Sequence, residues 1–231
     1  MDTIAFATVK GRTQEPETLL MDIYHPEPDG RPHPAMILLH GGGFLVGNDR
    51  RQGYIIRLGE YLSAAGYVCF APDYPLFPRS VKEEPGFTRA AFFLRGAREA
   101  AREVLLCREY IVSHAEEWGV DPARIGLLGG SAGGMAGHET VKRSDGFRCF
   151  VSLWGAESVT GDADQYPPTF LVHGTADQAV DPAFSVACYE KLVEAGVPAE
   201  LMLLEGAAHT CIDRLEEFGA PMLSFLEKWL G

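Results

Sequence analysis

Short apolar blocks alternate along the chain between two periods, one fitting strands and one fitting helices. Residues 4–10 and 18–24 (Leu19, Leu20, Met21, Asp22, Ile23, Tyr24) carry strand character and are joined by a polar turn. Pro26, Pro28, Gly30, Pro32 and Pro34 then make a loop that can be neither helix nor central strand. Residues 35–39 form an uninterrupted apolar run ending at His40, as a strand buried on both faces requires. Over 52–65 the spacing of Ile55, Ile56, Leu58 and Leu62 is helical, with Gly66 closing the helix. Residues 67–71 are again strand-like and run into a proline-rich loop from Pro72 to Pro85.

Residues 87–118 read mostly as helix, with Val104, Leu105, Tyr110, Ile111 and Trp118 on the buried face and Gly96 as a dividing point. Asp121 and Pro122 predict a turn before the strand Ile125, Gly126, Leu127, Leu128, and a helix begins over 134–142. Strands follow at 147–153 and 169–173, then a helix at 182–195 closed by Gly196, then a strand at Ala199–Leu204. The last helix, about 214–230, carries an apolar stripe at Leu215, Phe218, Met222, Phe225, Leu226 and Trp229. About eight strands alternating with helices from the third onward predict an α/β fold. Its sheet is mostly parallel, with helices on both faces and the first two strands antiparallel. No repeat or linker divides the chain, so one domain over 1–231 is expected.

Composition narrows the functions open to such a fold. Twenty Lys and Arg against 32 Asp and Glu give a net charge of −12, which offers a nucleic acid no electrostatic footing. No apolar run reaches the length that spans a bilayer, and no basic segment followed by a long apolar one opens the chain. Cys69, Cys107, Cys149, Cys188 and Cys211 are odd in number and lack metal-ligand spacing. A reducing, cytoplasmic setting is the expectation. No histidine pair has metal spacing with a carboxylate at hand, so neither metal nor cofactor is expected.

The chemistry gathers where strands end. Gly129, Gly130, Ser131, Ala132, Gly133 reads G-x-S-x-G between strand and helix, the context of a serine held at the apex of a sharp turn. A serine hydroxyl needs a base within reach, and the base needs a carboxylate to hold its tautomer. Asp177, in His173-Gly174-Thr175-Ala176-Asp177, and His209, after the last strand, supply both in the order Ser, Asp, His. Asp181 is the other candidate orienter, although its place before Pro182 suits a helix cap. Gly42 and Gly43, in His40-Gly41-Gly42-Gly43-Phe44, offer unobstructed N–H groups to a developing oxyanion, and Ala132 offers a third.

With those four motifs in order, the chain resembles the α/β-hydrolases of the esterase/lipase type, near the hormone-sensitive-lipase-like and acetyl (xylan) esterase groups. Residues 40–44 match that family's H-G-G-G loop, 129–133 its nucleophile elbow, 173–177 its H-G-x-x-D turn and His209 its base. The resemblance implies a triad of Ser131, Asp177 and His209, with Gly42, Gly43 and Ala132 as the oxyanion hole. The sequence departs from lidded relatives. Strand character begins at Ile4, only residues 155–168 separate the sixth and seventh strands, and the Tyr-Arg-Leu-Ala-Pro stretch appears as Tyr74-Pro75-Leu76-Phe77-Pro78. A small enzyme without a large cap is expected, similar to carbohydrate acetyl or feruloyl esterases.

The function expected is therefore a serine carboxylesterase acting on short-chain, acetyl-type esters of polar or carbohydrate alcohols. Its partner is then a small-molecule ester, with a second copy of the chain as the one candidate macromolecular partner, pairing through an edge strand. A prolyl-oligopeptidase-like peptidase and an aryl-formamidase-like amidase would use the same groups, and a non-catalytic receptor would use only the fold. Phe44 and Trp154 follow strand ends and are expected to line the substrate pocket. His40 and His173 are expected to hold their glycine turns. His138 reads as a packing or surface histidine and Cys211 as a buried filler.

Overall fold

In the computed structural model, residues 1–11, 15–156 and 163–231 are described. The strands are β1 (Asp2–Lys10), β2 (Pro16–Tyr24), β3 (His33–Leu39), β4 (Val68–Pro72), β5 (Val120–Gly130), β6 (Phe150–Leu153), β7 (Thr169–Gly174) and β8 (Ala199–Leu204). They form one sheet in the order β1-β2-β4-β3-β5-β6-β7-β8. β1 pairs antiparallel with β2 and β2 antiparallel with β4, while every pairing from β4 to β8 is parallel. The expected mostly parallel sheet is thus found. The turn residues 12–14 lie outside the described residues, as do 157–162 of the short connection between β6 and β7.

The helices are α1 (Gly53–Ala64), α2 (Arg89–Ser113), α3 (Ala115–Trp118), α4 (Ala132–Val141), α5 (Ala183–Glu194) and α6 (Leu215–Leu230). Because successive strand residues point to opposite faces, each central strand feeds two cores. Ala35, Ile37 and Leu39 of β3 pack with Val104 and Ile111 of α2, Ala136 of α4 and Leu192 of α5. Met36 and Leu38 pack on the other face with Leu58 of α1 and Phe218, Met222 and Leu226 of α6. Each such fully buried apolar side chain contributes about 1.5–3 kcal/mol of burial free energy.

Several boundaries differ from the sequence pattern. β5 starts at Val120, so Asp121 and Pro122 lie within the strand; the pairing of Val120 with His33 draws the chain into the sheet before the apolar run begins. β6 starts at Phe150, because only there does the register with β5 begin. α4 starts at Ala132, directly after the serine. Gly96 does not divide the long helix. α2 continues through it, and a Cβ at that position would stand 2.5 Å from the Phe44 ring, so the glycine serves a close approach rather than a break.

Strand order places the site. β4, which follows β3 in sequence, lies on one side of β3, whereas β5 lies on the other. The connections therefore leave in opposite directions between β3 and β5. Crevices at such a switch point, beyond the carboxyl ends of the strands, are where open α/β sheets bind ligands.

Candidate active site

Two loops meet in that crevice. The turn after β5 carries Ser131 at φ 56° and ψ −120°, a conformation that is costly for a residue with a Cβ. The neighbouring glycines make the turn sterically feasible. A Cβ on Gly129 would meet the Gly133 carbonyl oxygen at 2.2 Å, and one on Gly133 would meet that of Leu39 at 2.2 Å. Phe44, Trp154 and Thr210 also take positive φ without being glycine. Among the described residues, these four follow strand ends or adjoin His209, so their backbone strain gathers around one crevice.

Ser131, His209 and Asp177 are brought into one hydrogen-bonded line. His209 Nδ1 lies 2.7 Å from Asp177 Oδ2, and its Nε2 lies 2.9 Å from Ser131 Oγ. A carboxylate only accepts, so Nδ1–H donates to Asp177 and Nε2 is left to accept from the serine hydroxyl. Asp177 Oδ1 takes the N–H groups of Ala179 and Val180 at 2.8 and 3.0 Å. Burial alone would raise the pKa of this carboxylate. Those backbone donors and His209 outweigh it and hold the value below the ordinary one. Asp181 stands apart from the histidine and accepts the N–H of Ala183 at the start of α5.

The loop after β3 faces the serine. The N–H groups of Gly42 and Gly43 donate to nothing among the described residues. Ala132 is the first residue of α4, where an N–H has no intrahelical acceptor. Gly42, Gly43 and Ala132 line the same cleft as the serine, which precedes a helix N-terminus where negative charge is favoured. The loop is braced by residues that the sequence reading passed over. Gln52 Oε1 accepts the Gly41 N–H at 3.0 Å, Gln52 donates to Asn48 Oδ1 at 2.9 Å, and Asn48 donates to the carbonyls of Gly42 and Leu45. Both residues precede α1, which begins at Gly53, so no helical spacing marks them in the sequence.

The histidines at strand ends hold the turns. His40 donates from Nδ1 to the Gly41 carbonyl at 2.9 Å and stacks on Tyr74, whose hydroxyl donates to the His40 carbonyl at 2.5 Å. Burial pulls its pKa down to about 4. His138 is buried between Ser152 and Tyr166, and Cys211 is buried with its thiol pushed up to about 11 by burial.

A cleft of about 1480 Å³ opens over the serine, lined by residues of α2, α4 and the loops after β3, β7 and β8. Phe44 and Trp154 do not line it, contrary to expectation. Their positive φ turns each side chain back from the strand end into a core. Phe44 packs there against Tyr74 and Phe93, and Trp154 between Tyr54 and Phe218. The apolar wall is instead made by Phe93, Leu94, Met135 and Phe184. Among the described residues, no group of three or more His, Cys, Asp or Glu is placed to hold a metal ion. None of their helices is long and apolar enough to cross a membrane.

The BD-FAE family matches residues 21–141, more than half of the 231. The chain belongs to that family. The match takes in the loop after β3, the serine turn and the whole of α4. Residues 154–231, which hold Asp177 and His209, match the prolyl oligopeptidase family. Over 172 residues, 74% of this BD-FAE chain, it is 26% identical to the protein named probable carboxylic ester hydrolase LipM of Mycobacterium tuberculosis, covering 32% of that protein. It is 30% identical over 114 residues, 49% of its length, to the acetyl esterase of Salmonella paratyphi B, covering 29% of it. The chain thus spans about a third of the length of these curated relatives. Among solved structures, the thermophilic esterase Est2 of Thermogutta terrifontis superposes with a TM-score of 0.68 at 20% identity, over 98% of this chain and 90% of that one. The fold is that of an α/β-hydrolase.

Proposed function

We propose that the chain is a serine carboxylesterase, with Ser131, His209 and Asp177 as its catalytic residues. The observation that carries this is the continuous hydrogen-bonded line from the Ser131 hydroxyl through His209 to a buried carboxylate, opening into a cleft beside three N–H donors. In the first step Ser131 Oγ bonds to the ester carbonyl carbon as its proton passes to His209 Nε2. The carbonyl electron pair moves to oxygen, where Gly42, Gly43 and Ala132 donate to it; each such donor is worth roughly 2.7–4 kcal/mol. His209 returns the proton to the departing alkoxide as the C–O bond breaks, leaving acyl-Ser131. Water then repeats the sequence and frees the acid.

The favoured substrates in this reading are short acyl esters, acetyl first, of polar or carbohydrate alcohols. Its support is the polar side chain of Gln52 lining the cleft beside the loop after β3, together with the charged side chains Arg89, Arg98, Lys142 and Arg143 that line it further out and suit a polar alcohol. The cleft exceeds the roughly 300–1,000 Å³ common for small-molecule sites, which suits a bulky alcohol. All five cysteines are buried thiols, which supports a reducing, cytoplasmic setting. β1 and β8 are edge strands through which a second copy would pair.

A p-nitrophenyl ester series from acetate to decanoate tests the reading. Turnover is expected to peak at acetate, to fall with chain length and to drop by roughly 10⁴-fold or more in Ser131→Ala. The match of residues 154–231 to the prolyl oligopeptidase family favours a second reading, cleavage of peptide bonds after proline. Inert esters together with cleaved prolyl peptides would replace the first reading by the second.

A further inference from the structure

One face of α4 forms the floor of the cleft from the serine outward. Ser131, Met135, Glu139 and Arg143 recur at every fourth residue along this floor, with Lys142 beside the last. α2 supplies the facing wall through Arg89, Phe93, Ala97 and Arg98. At the helical rise of 1.5 Å per residue, the stretch from Glu139 to Arg143 lies roughly 12–18 Å along the axis from Ser131. The middle of the cleft is apolar, with Phe93, Leu94, Ala97 and Met135.

Its far end is cationic. Arg98, Lys142 and Arg143 converge on the carboxylate of Glu139 at 3.5, 2.8 and 2.7 Å. Glu139 is buried, whereas the Arg98 side chain is 56% exposed and that of Arg143 36%. The two guanidinium forks alone carry more N–H donors than the Glu139 carboxylate oxygens and the Glu139 carbonyl, which Arg143 also reaches, can accept. The C-terminal end of α4 accounts for Lys142 and Arg143, since cations are favoured there. It does not account for Arg98, which reaches across from α2. Among the described residues that line the cleft, the four cations Arg89, Arg98, Lys142 and Arg143 face the two anions Glu139 and Asp181. The chain as a whole has 32 acidic residues to 20 basic ones. Positive charge is therefore placed in this cleft against the balance of the molecule.

We infer that the far end of the cleft binds an anionic group of the substrate. The ester turned over is then a short-chain ester of an alcohol that carries a carboxylate or comparable anion roughly 12–18 Å from the reacting carbonyl. Arginine forks match that geometry bidentately, and the apolar middle carries the segment between the two ends. The bond broken rests on the esterase reading; the anion site does not.

The test is calorimetric titration of Ser131→Ala with two intact acetate esters of equal length, one of an ω-hydroxy carboxylic acid and one of the neutral alcohol. The acid is expected to bind about tenfold more tightly at low salt. That advantage should shrink in about 1 M salt and in Arg98→Gln and Arg143→Gln. Equal or weaker binding of the acid overturns the inference, and so does a preference that survives intact in both arginine variants. Turnover of p-nitrophenyl acetate by the wild type is read separately. Its absence would remove the esterase chemistry while the binding comparison still decides the anion site.

Discussion

His173 and His209 both donate to the same carboxylate oxygen, Asp177 Oδ2, at 3.1 and 2.7 Å. The His173 Nε2 also faces the Val180 carbonyl at 3.1 Å, so it carries the proton, and Nδ1 accepts from the Ser185 hydroxyl at 2.7 Å. Both histidine and hydroxyl are buried. Asp177 is thereby fixed from behind by a side chain that reaches neither the serine nor the cleft. His173 is a positioning residue.

Replacing His173 by leucine removes one of four donors to Asp177 and leaves the carboxylate free to turn. kcat is expected to fall about tenfold with KM little changed, because only the alignment of His209 suffers. His173→Gln, which keeps an N–H donor, should recover part of the loss. Steady-state kinetics on p-nitrophenyl acetate check this, and an equal loss in both variants would show that bulk rather than the donor matters.

The two acidic candidates before α5 are separated by substitution. Asp177→Asn keeps the shape but cannot accept the His209 Nδ1–H as a charge, so kcat should drop by roughly 10³–10⁴-fold. Asp181→Asn can still accept the Ala183 N–H as a helix cap and should leave kcat within about twofold. Rates for the two variants, measured side by side, settle which carboxylate orients the base.

Most of the fold was legible because central strands buried on both faces must be largely apolar, as 35–39 and 170–172 are. The proposed triad was legible because Ser131, Asp177 and His209 each follow a strand end within a short motif. Side-chain direction was not. Phe44 and Trp154 were expected in the cleft because of where they fall in sequence, but a positive φ at each sends the ring into the core. Nor does a local pattern betray the bracing of the oxyanion loop by Asn48 and Gln52, which depends on how α1 docks under β3. The turn expected at Asp121 and Pro122 persists as an irregularity inside β5: the pairing with β3 jumps from Val120 to Ile125, and the Ala123 N–H donates back to Asp121 Oδ1 at 2.9 Å.

His40 and His138 are buried and neutral, with pKa values pulled down by burial to about 4 and about 3. In the unfolded chain each would take up a proton near pH 6.5. Below that value the unfolded state binds protons that the folded state refuses, so stability falls as pH drops. Each histidine contributes a slope of roughly 1.4 kcal/mol per pH unit between about pH 6 and the lowered value. Urea unfolding at pH 7, 6 and 5 should show this decline. His138→Gln should remove its own share of the decline, while His40 and His173, also held down by burial, keep the rest.

Gly96 lies inside α2, where exchange to alanine ordinarily gains about 1 kcal/mol of helix stability. Here the added Cβ would stand 2.5 Å from Cδ2 of Phe44 and 2.6 Å from Cγ, and Phe44 is buried with no room to retreat. Phe44 directly follows Gly42 and Gly43, and its carbonyl accepts the Phe77 N–H at 2.8 Å. A ring pushed away from α2 must drag that loop with it. Gly96→Ala is therefore expected to lose about 1–3 kcal/mol of stability rather than gain any. kcat on p-nitrophenyl acetate should fall at least several-fold, since two of the three oxyanion donors move with Phe44. Thermal unfolding and kinetics of this one variant check both parts. A rise in Tm with unchanged kcat would mean that Phe44 repacks without disturbing the loop, which would uncouple the long helix from the oxyanion donors.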